Sequence, residues 1–421
     1  MYYNLIKELY KGDGKMLSTK FVKFIKSFNN DNNTKLNYIL DLGRLGIRIS
    51  QEYSTRFDLL SIDKCLYLAN FQTPSVEKAE KHLLNLVPKF DPLFSLMEYY
   101  DNYPYTYSDI NYSFKACLKS GVEITIKAVN KTAKNNFFKK INSLRNKLKY
   151  LSFIYPWMEK DYKVKEIIDN VEKNSFQKSN LSNEINYTNS LNEYLKPFRN
   201  KLNLQNVCFP KIYAYLSSEN MVVSEFIYGS YFYELLNIKK LRYEDVFQLV
   251  KTQLFFMLKI GVFYNNMHSG NLMLSEEGKI YYLDCNNLSS MTSTTKAQFF
   301  RLFKAVALGN FPYASVILNE LSEKSLSTPQ LESLAITMKE IFITDKDEYQ
   351  EVFFIKLMKC FRAASKLGME FEEEIFPIFK SLIYLDSLIF QTKDKNSKVK
   401  SDILNILNEI EEIQNDNIPL T

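Results

Sequence analysis

The sequence predicts an α+β fold with two lobes, in which a small antiparallel sheet sits among many helices. Three observations carry this. "FKACLKSGVEITIKAVN", within residues 104–130, alternates polar and apolar residues around Ser120-Gly121, which is a hairpin pattern. "FPKIYAYLSSENMVVSEFI" (209–227) reads as two more strands. Elsewhere long stretches carry helical spacing, with only 11 glycines and 11 prolines to interrupt them.

In chain order, residues 1–100 read as several helices and form an N-terminal helical extension. A first lobe covers 101–230. Its insert from 131 to 200 is helical, rich in Lys and Asn, and broken around Tyr155-Pro156. Eight basic residues lie between Lys127 and Lys149, and a solvated helix face accounts for them. A second lobe covers 231–392. There "YEDVFQLVKTQLFFMLKIG" places apolar residues at 246, 249, 250, 254, 257 and 258, a helix stripe that Gly261 ends. A loop and a hairpin turning at Glu277-Gly278 follow, then helices from 293 onward. Residues 393–421 form a linker and an amphipathic helix whose apolar stripe is Ile403, Leu404, Ile406, Leu407, Ile410 and Ile413. That stripe is expected to pack on the chain's own fold.

Composition narrows the function classes. Of the 421 residues 46% are apolar and 24% charged, ordinary for a globular chain with a sizeable core. With 54 basic and 48 acidic side chains the net charge is only +6. This suits mild attraction to nucleotides or acidic surfaces and argues against a nucleic-acid partner. The five cysteines (65, 117, 208, 285, 360) are dispersed, odd in number and never spaced C-x-x-C, and histidines number two. This argues against a zinc site, and a reducing compartment is expected. "MYYNLIKELYKGDGK" lacks the apolar core of a signal peptide. No apolar run approaches 18 residues, since "SLIYLDSLIF" is short and contains Asp386. The expectation is a cytoplasmic protein without a transmembrane segment, peripheral to a membrane at most.

The chemistry is concentrated in "NNMHSGNLMLSEEGKIYYLDCNN" (265–287). Phosphoryl transfer needs a lysine on phosphate oxygens, a glutamate to hold it, oxygen ligands for Mg2+, and usually a carboxylate that orients the nucleophile. Lys127 lies on the alternating strand, Glu184 on a following helix, and Asn271 and Asp284 on either side of the short hairpin. In this order they suit a bilobed protein-kinase-like fold.

Further motifs support a family. "IRISQEYSTRFDLLS" (47–61) resembles the K-x-G-Q signature of the UbiB/AarF/ADCK family of atypical kinases, IKLGQLLSTRPDLLP. "PYTYSDINYSFKACLKSGVEITIKAV" is similar to its Ala-rich loop and lysine strand, "EINY" (184–187) to its E-x-D-Y motif, and "YNNMHSGNLML" and "YYLDCNN" to HADPHPGNILV and LLDFG. The similarity runs on through "FPIFKSLIYLDSLIF", over roughly 35–390. It implies a kinase-like fold whose K-x-G-Q helices cover the active site and block protein substrates. It also implies ATP binding, weak ATPase or small-molecule kinase activity, and a role in isoprenoid-lipid metabolism. By the same resemblance Lys127 contacts nucleotide phosphates and pairs with Glu184. Asn271 and Asp284 hold Mg2+ or Mn2+, Ser108 and Glu225 complete the ATP/ADP-binding set, and Arg48 and Gln51 come from the occluding motif.

The departures sort by role. The family's catalytic Asp is Asn266, which orients a hydroxyl but accepts no proton at neutral pH. The Asp of E-x-D is Asn186. Arg48 and Ser50 replace the Lys and Gly of K-x-G-Q, and Asn286 replaces the last Gly of the D-F-G-like motif. The Ala-rich loop becomes "YTYSDINYS", where Tyr105 and Tyr107 crowd a place that favours small residues. His268 matches a family histidine and is expected to orient the loop; Cys285 is expected to be a buried small side chain. Phosphate and metal ligands are kept while proton-moving and loop-shaping residues are altered. The expectation is a catalytically impaired, pseudokinase-like protein binding Mg-ATP or Mg-ADP. The alternatives are an active ATPase or small-molecule kinase, and a nucleotide-free scaffold or lipid-binding module. The expected partners are the nucleotide, a small-molecule or isoprenoid-lipid substrate, and a protein.

Overall fold

The computed structural model describes residues 14–71, 93–101, 104–107, 110–265, 267–343, 352–394 and 397–415. The chain divides into two compact units. One is Met1–Ile185 with Lys211–Phe226; the other is Asn186–Pro210 with Ile227–Thr421. The four segments read from the sequence are thus grouped differently: the helical extension lies in one unit with the sheet, and the C-terminal helix lies in the other with residues 231–392.

The first unit opens with α1 (Gly14–Ser27), a 3-10 stretch (Asn33–Leu42), α2 (Arg44–Tyr53) and α3 (Ile62–Ala69). Gly46 lets α2 press on the 3-10 stretch, because a Cβ there would collide with the Ile39 carbonyl. The sheet follows as β1 (Met97–Tyr100), β2 (Thr106–Tyr107), β3 (Asn111–Leu118) and β4 (Glu123–Val129). Then come α4 (Lys131–Ile154), α5 (Trp157–Tyr162), α6 (Val164–Lys178) and α7 (Ser182–Leu195), of which only the residues up to Ile185 belong to this unit. α4 buries Phe137, Ile141, Leu144, Leu148 and Leu151 at helical spacing, and Asn130 caps it by accepting from Ala133 N. After β5 (Val207–Cys208), which belongs to the second unit, β6 (Met221–Glu225) closes the sheet in the order β1-β3-β4-β6, with β2 also on β3. Of the two strands expected in 209–227, only the second forms. The first reduces to a bridge from Ile212 to Ser224 and a 3-10 turn, Ala214–Leu216.

One face of this sheet carries a hydrophobic core cluster: Tyr112, Phe114, Ala116 and Leu118 on β3, Ile124, Ile126 and Ala128 on β4, and Val223 on β6. Strand periodicity then places Glu123, Thr125 and Lys127 on the opposite face.

The second unit contains β7 (Gly229–Tyr231), α8 (Phe232–Asn237) and α9 (Tyr243–Phe255), which runs into a π-turn, Phe256–Ile260. Gly261, at φ 91°, ends it in the left-handed region, as the sequence predicts. β8 (Val262–Tyr264), β9 (Leu272–Ser275), β10 (Ile280–Tyr282) and β11 (Leu288–Ser290) form two small sheets, β5-β10-β9-β7 and β11-β8. β5 joins β10 in parallel. Helices α10 (Ser293–Leu308), α11 (Phe311–Glu320), α12 (Thr328–Ile343), α13 (Phe353–Lys366), α14 (Ile375–Thr392) and α15 (Val399–Asn415) complete it.

Among the described residues, the helix that comes nearest to a membrane-spanning apolar run is α14. It has 18 residues with a mean hydropathy of 1.2, long and apolar enough to cross a membrane by length and composition. Its run is hidden in the sequence because Lys380 and Asp386 interrupt it. Here 67% of the helix is buried within the protein, and the fully buried Asp386 accepts from Ile355 N in the first turn of α13. α14 is thus a core helix of this unit, and its carboxylate satisfies one of the amides that every helix start leaves over.

Candidate functional site

Lys127 lies near the end of β4, opposite Ser113 of β3 and Val222 of β6. Beside Val222 pack Leu181 and Ile185, which bracket the first turn of α7. That packing brings Glu184 over the lysine: Lys127 Nζ donates to Glu184 Oε2 at 2.7 Å, with the side chains 13% and 9% exposed. A pair this dry is screened less than a surface ion pair, and losing either partner strands a charge. Asn186, two residues further on, is exposed and lies on another side of the helix, since residues two apart do not share a face.

Glu225 is not part of this cluster. The register sets it opposite Ile124, on the core face and away from Lys127. Its carboxylate instead accepts from Lys211 N at 2.9 Å, and its own amide donates back to the Lys211 carbonyl. Arg48 and Gln51 meet on α2, where Arg48 Nη1 donates to Gln51 Oε1 at 3.3 Å. Ser50, where the family motif has Gly, is fully buried and bonds back to the Ile47 carbonyl. Ser108 and Asn266 lie outside the described residues.

In the second unit the β9–β10 hairpin carries Asn271 and Asp284. Its register pairs Leu272 with Tyr282, and the next rung outward is closed by Leu283 N donating to the Asn271 carbonyl at 2.8 Å. The two candidate ligands are therefore held at the same open end of one hairpin. Asn271 is buried and closes the 3-10 turn Ser269–Asn271. His268 caps that turn, with Nδ1 accepting from Gly270 N at 3.1 Å, and its ring lies edge-on to Tyr384. His268 thus ties down the turn that ends in Asn271. It also explains Gly270, because a Cβ there would crowd the imidazole at 3.1 Å.

Asp284 has φ 57°, a left-handed backbone that Asp tolerates better than most residues. Such strain persists only when the surroundings hold it. Here the Tyr264 hydroxyl lies 2.7 Å from the Leu283 carbonyl and 3.1 Å from that of Asp284, so its proton serves both sides of the strained residue. Tyr264 is held in turn by Gln253, a fully buried side chain that donates to the Tyr264 carbonyl at 3.1 Å and accepts from its amide. Sequence reasoning missed Gln253 and Tyr264. The available signal was a glutamine leading directly into the apolar run "LFFML". Cys285 is buried as expected, beside the Tyr282 carbonyl. Asn286 is 2% exposed and its Oδ1 has no hydrogen-bond partner among the described residues.

The pattern of the ABC1 atypical kinase-like domain matches residues 91–314, more than half of the chain. The chain belongs to the ABC1 family of atypical kinase-like proteins. It is 26% identical over 370 residues, 83% of its length, to the "probable protein kinase UbiB" of Pectobacterium carotovorum. It is also 26% identical over 243 residues, 55% of its length, to the protein of the same name from Blochmanniella pennsylvanica. It spans 65% and 42% of those two proteins, under two thirds of either. A solved structure of Rv3197 with erythromycin, from Mycobacterium tuberculosis, superposes over 97% of this chain and 90% of its own. Its TM-score is 0.51 at 11% identity, a likeness of fold alone. Membership of the ABC1 family and the kinase-like α+β fold are in agreement with the reading from the motifs.

Kinase-like families use a nucleotide and a divalent metal in general. The donor set here fits that use: one carboxylate and one amide oxygen are hard ligands suited to Mg2+ or Mn2+. Among the described residues no cluster of three or more His, Cys, Asp or Glu could hold a metal by itself. Two protein oxygens match an ion that arrives on phosphates, because Mg2+ is commonly held by one or two carboxylates together with substrate oxygens.

Proposed function

We propose that this ABC1-family chain binds Mg-ATP or Mg-ADP and is catalytically impaired, acting as a pseudokinase-like regulator or scaffold in isoprenoid-quinone or other lipid metabolism. The observation that carries the reading is the formed Lys127–Glu184 pair, the arrangement a kinase-like fold needs before a lysine meets nucleotide phosphates. Asn271 and Asp284 would take the metal, which when bound supplies positive charge at the phosphate oxygens. Impairment rests on Asn266, whose amide accepts no proton where the family has Asp. Under this reading the partners are the nucleotide, a small-molecule or isoprenoid-lipid ligand, and a protein that senses the loaded state, met in the cytoplasm or at a membrane surface. The retained Lys127, Glu184, Asn271 and Asp284 equally favour a second reading, a slow ATPase or small-molecule kinase that works by positioning alone.

Turnover separates the two. The parent is expected to hydrolyse no ATP above background, and Asn266→Asp to gain activity, since a positioned base contributes about 10²–10⁴-fold. Parent hydrolysis that Asp284→Ala abolishes would establish the second reading and sink the first.

A further inference from the structure

We propose that Tyr105 is a gate on the nucleotide-binding face of the sheet, closed by contacts to Thr125 and Phe226 and displaced when a nucleotide reaches Lys127. This rests on the nucleotide-binding reading above and adds its regulation.

The placement follows from strand geometry. Thr125 and Lys127 are two residues apart on β4, so they point to the same face about 7 Å apart. Lys115 and Ser224 lie opposite Thr125 and share that face. Tyr105 is fastened over it at three points. Its amide donates to the Ser113 carbonyl at 3.0 Å. Its hydroxyl is 2.9 Å from Thr125 Oγ1. Its ring meets Phe226 edge-on at 5.8 Å between centroids. Phe226 is itself covered by Lys115, whose ammonium stands 4.4 Å from the ring centre and also pairs with Glu123 at 2.8 Å.

Burial pushes the Tyr105 phenol up to about 12, against the Thr125 hydrogen bond and the Lys127 charge, which both lower it. The hydroxyl thus sits partly buried, within electrostatic reach of the lysine. A nucleotide whose phosphates reach Lys127 extends well beyond 7 Å, and toward Thr125 it runs into this ring.

The gate is weak by construction. Its side chain is held by one hydroxyl bond and one aromatic pair, so a closed fraction near nine-tenths is expected, which lowers apparent affinity about tenfold. Calorimetric titration of the full chain with Mg-ADP reads this directly. Tyr105→Ala is expected to bind about tenfold more tightly than the parent. Tyr105→Phe keeps the ring against Phe226 and loses only the Thr125 bond, so it is expected to gain roughly threefold. If the parent binds and neither variant is tighter, the gate is wrong and the nucleotide reading stands. If Tyr105→Ala binds more weakly, Tyr105 is a platform for the base and the gate is equally wrong. If the parent and both variants bind nothing, the gate and the nucleotide reading fall together.

Discussion

Deleting residues 399–421 is expected to abolish cooperative folding of the second unit. α15 buries Ile403, Ile406, Leu407, Ile410 and Ile413 almost completely, against α9, the π-turn and α10. At about 1.5–3 kcal/mol for each such side chain, their burial together rivals the roughly 5–15 kcal/mol that keeps an ordinary domain folded. Polar contacts fix the docking along the whole helix. Tyr243 donates to Asp402 at 2.9 Å, Lys251 pairs with Glu409 at 2.7 Å and Lys304 with Glu411 at 2.5 Å. Near the end Lys259 reaches the Ile413 carbonyl, and Gln414 the Leu258 carbonyl. Burial raises the Tyr243 phenol well above its ordinary range, and the bond to Asp402 raises it further, as expected of a neutral hydroxyl locked to a carboxylate. The truncated chain should bind a hydrophobic dye and lose one calorimetric transition. A truncated chain with both transitions at the parent temperatures would show α15 to be an accessory.

Replacing Arg56 with alanine is expected to have the next largest effect, destabilising the first unit by about 3 kcal/mol. Arg56 is 3% exposed and grips Asp58 with two parallel bonds, Nε–Oδ1 at 2.9 Å and Nη2–Oδ2 at 2.7 Å. Its third nitrogen, Nη1, reaches Glu166 on α6 at 2.5 Å. Burial alone would lower the guanidinium's pKa, but the Asp58 bonds and the Glu166 charge raise it instead. Nearby, the buried Tyr53 donates to the Tyr162 carbonyl and stacks edge-on with Phe28. Alanine would leave two acids facing each other without their cation. Arg56→Lys should fall between, because an ammonium cannot form the fork. Urea unfolding measures both variants; a change under about 0.5 kcal/mol for alanine would mean the cluster behaves like an exposed pair.

Arg56 also marks where the sequence stopped being legible. The motif "STRFDLLS" was recognised, yet Glu166 lies 110 positions away, and no local pattern announces such a pairing. The β3–β4 hairpin was readable because alternation and a Ser-Gly turn agreed, and the β9–β10 hairpin because Gly278 supplies its positive φ of 77°. The first strand expected in 209–227 failed for a physical reason: Pro210 offers no amide, and Ala214–Leu216 closes on itself as a 3-10 turn. β1 was missed because four residues, "MEYY", carry too little alternation to stand out from the helices before them. At the site, the identities of Lys127, Glu184, Asn271 and Asp284 came from motif order, and the face that each side chain occupies came only from register. Glu225 illustrates the difference. It ends β6, three residues from the Val222 that pairs with Lys127, and that odd spacing turns it to the core side.

The most direct test of nucleotide binding is a thermal shift of the intact chain with Mg-ADP, alongside ADP without metal and an Asp284→Ala variant. At 100 times the dissociation constant, bound ligand stabilises the folded state by about 2.7 kcal/mol, a shift of a few degrees. The account predicts that shift for the parent with magnesium, and its loss without metal or in Asp284→Ala. A parent whose melting temperature stays unchanged at every Mg-ADP concentration would contradict it.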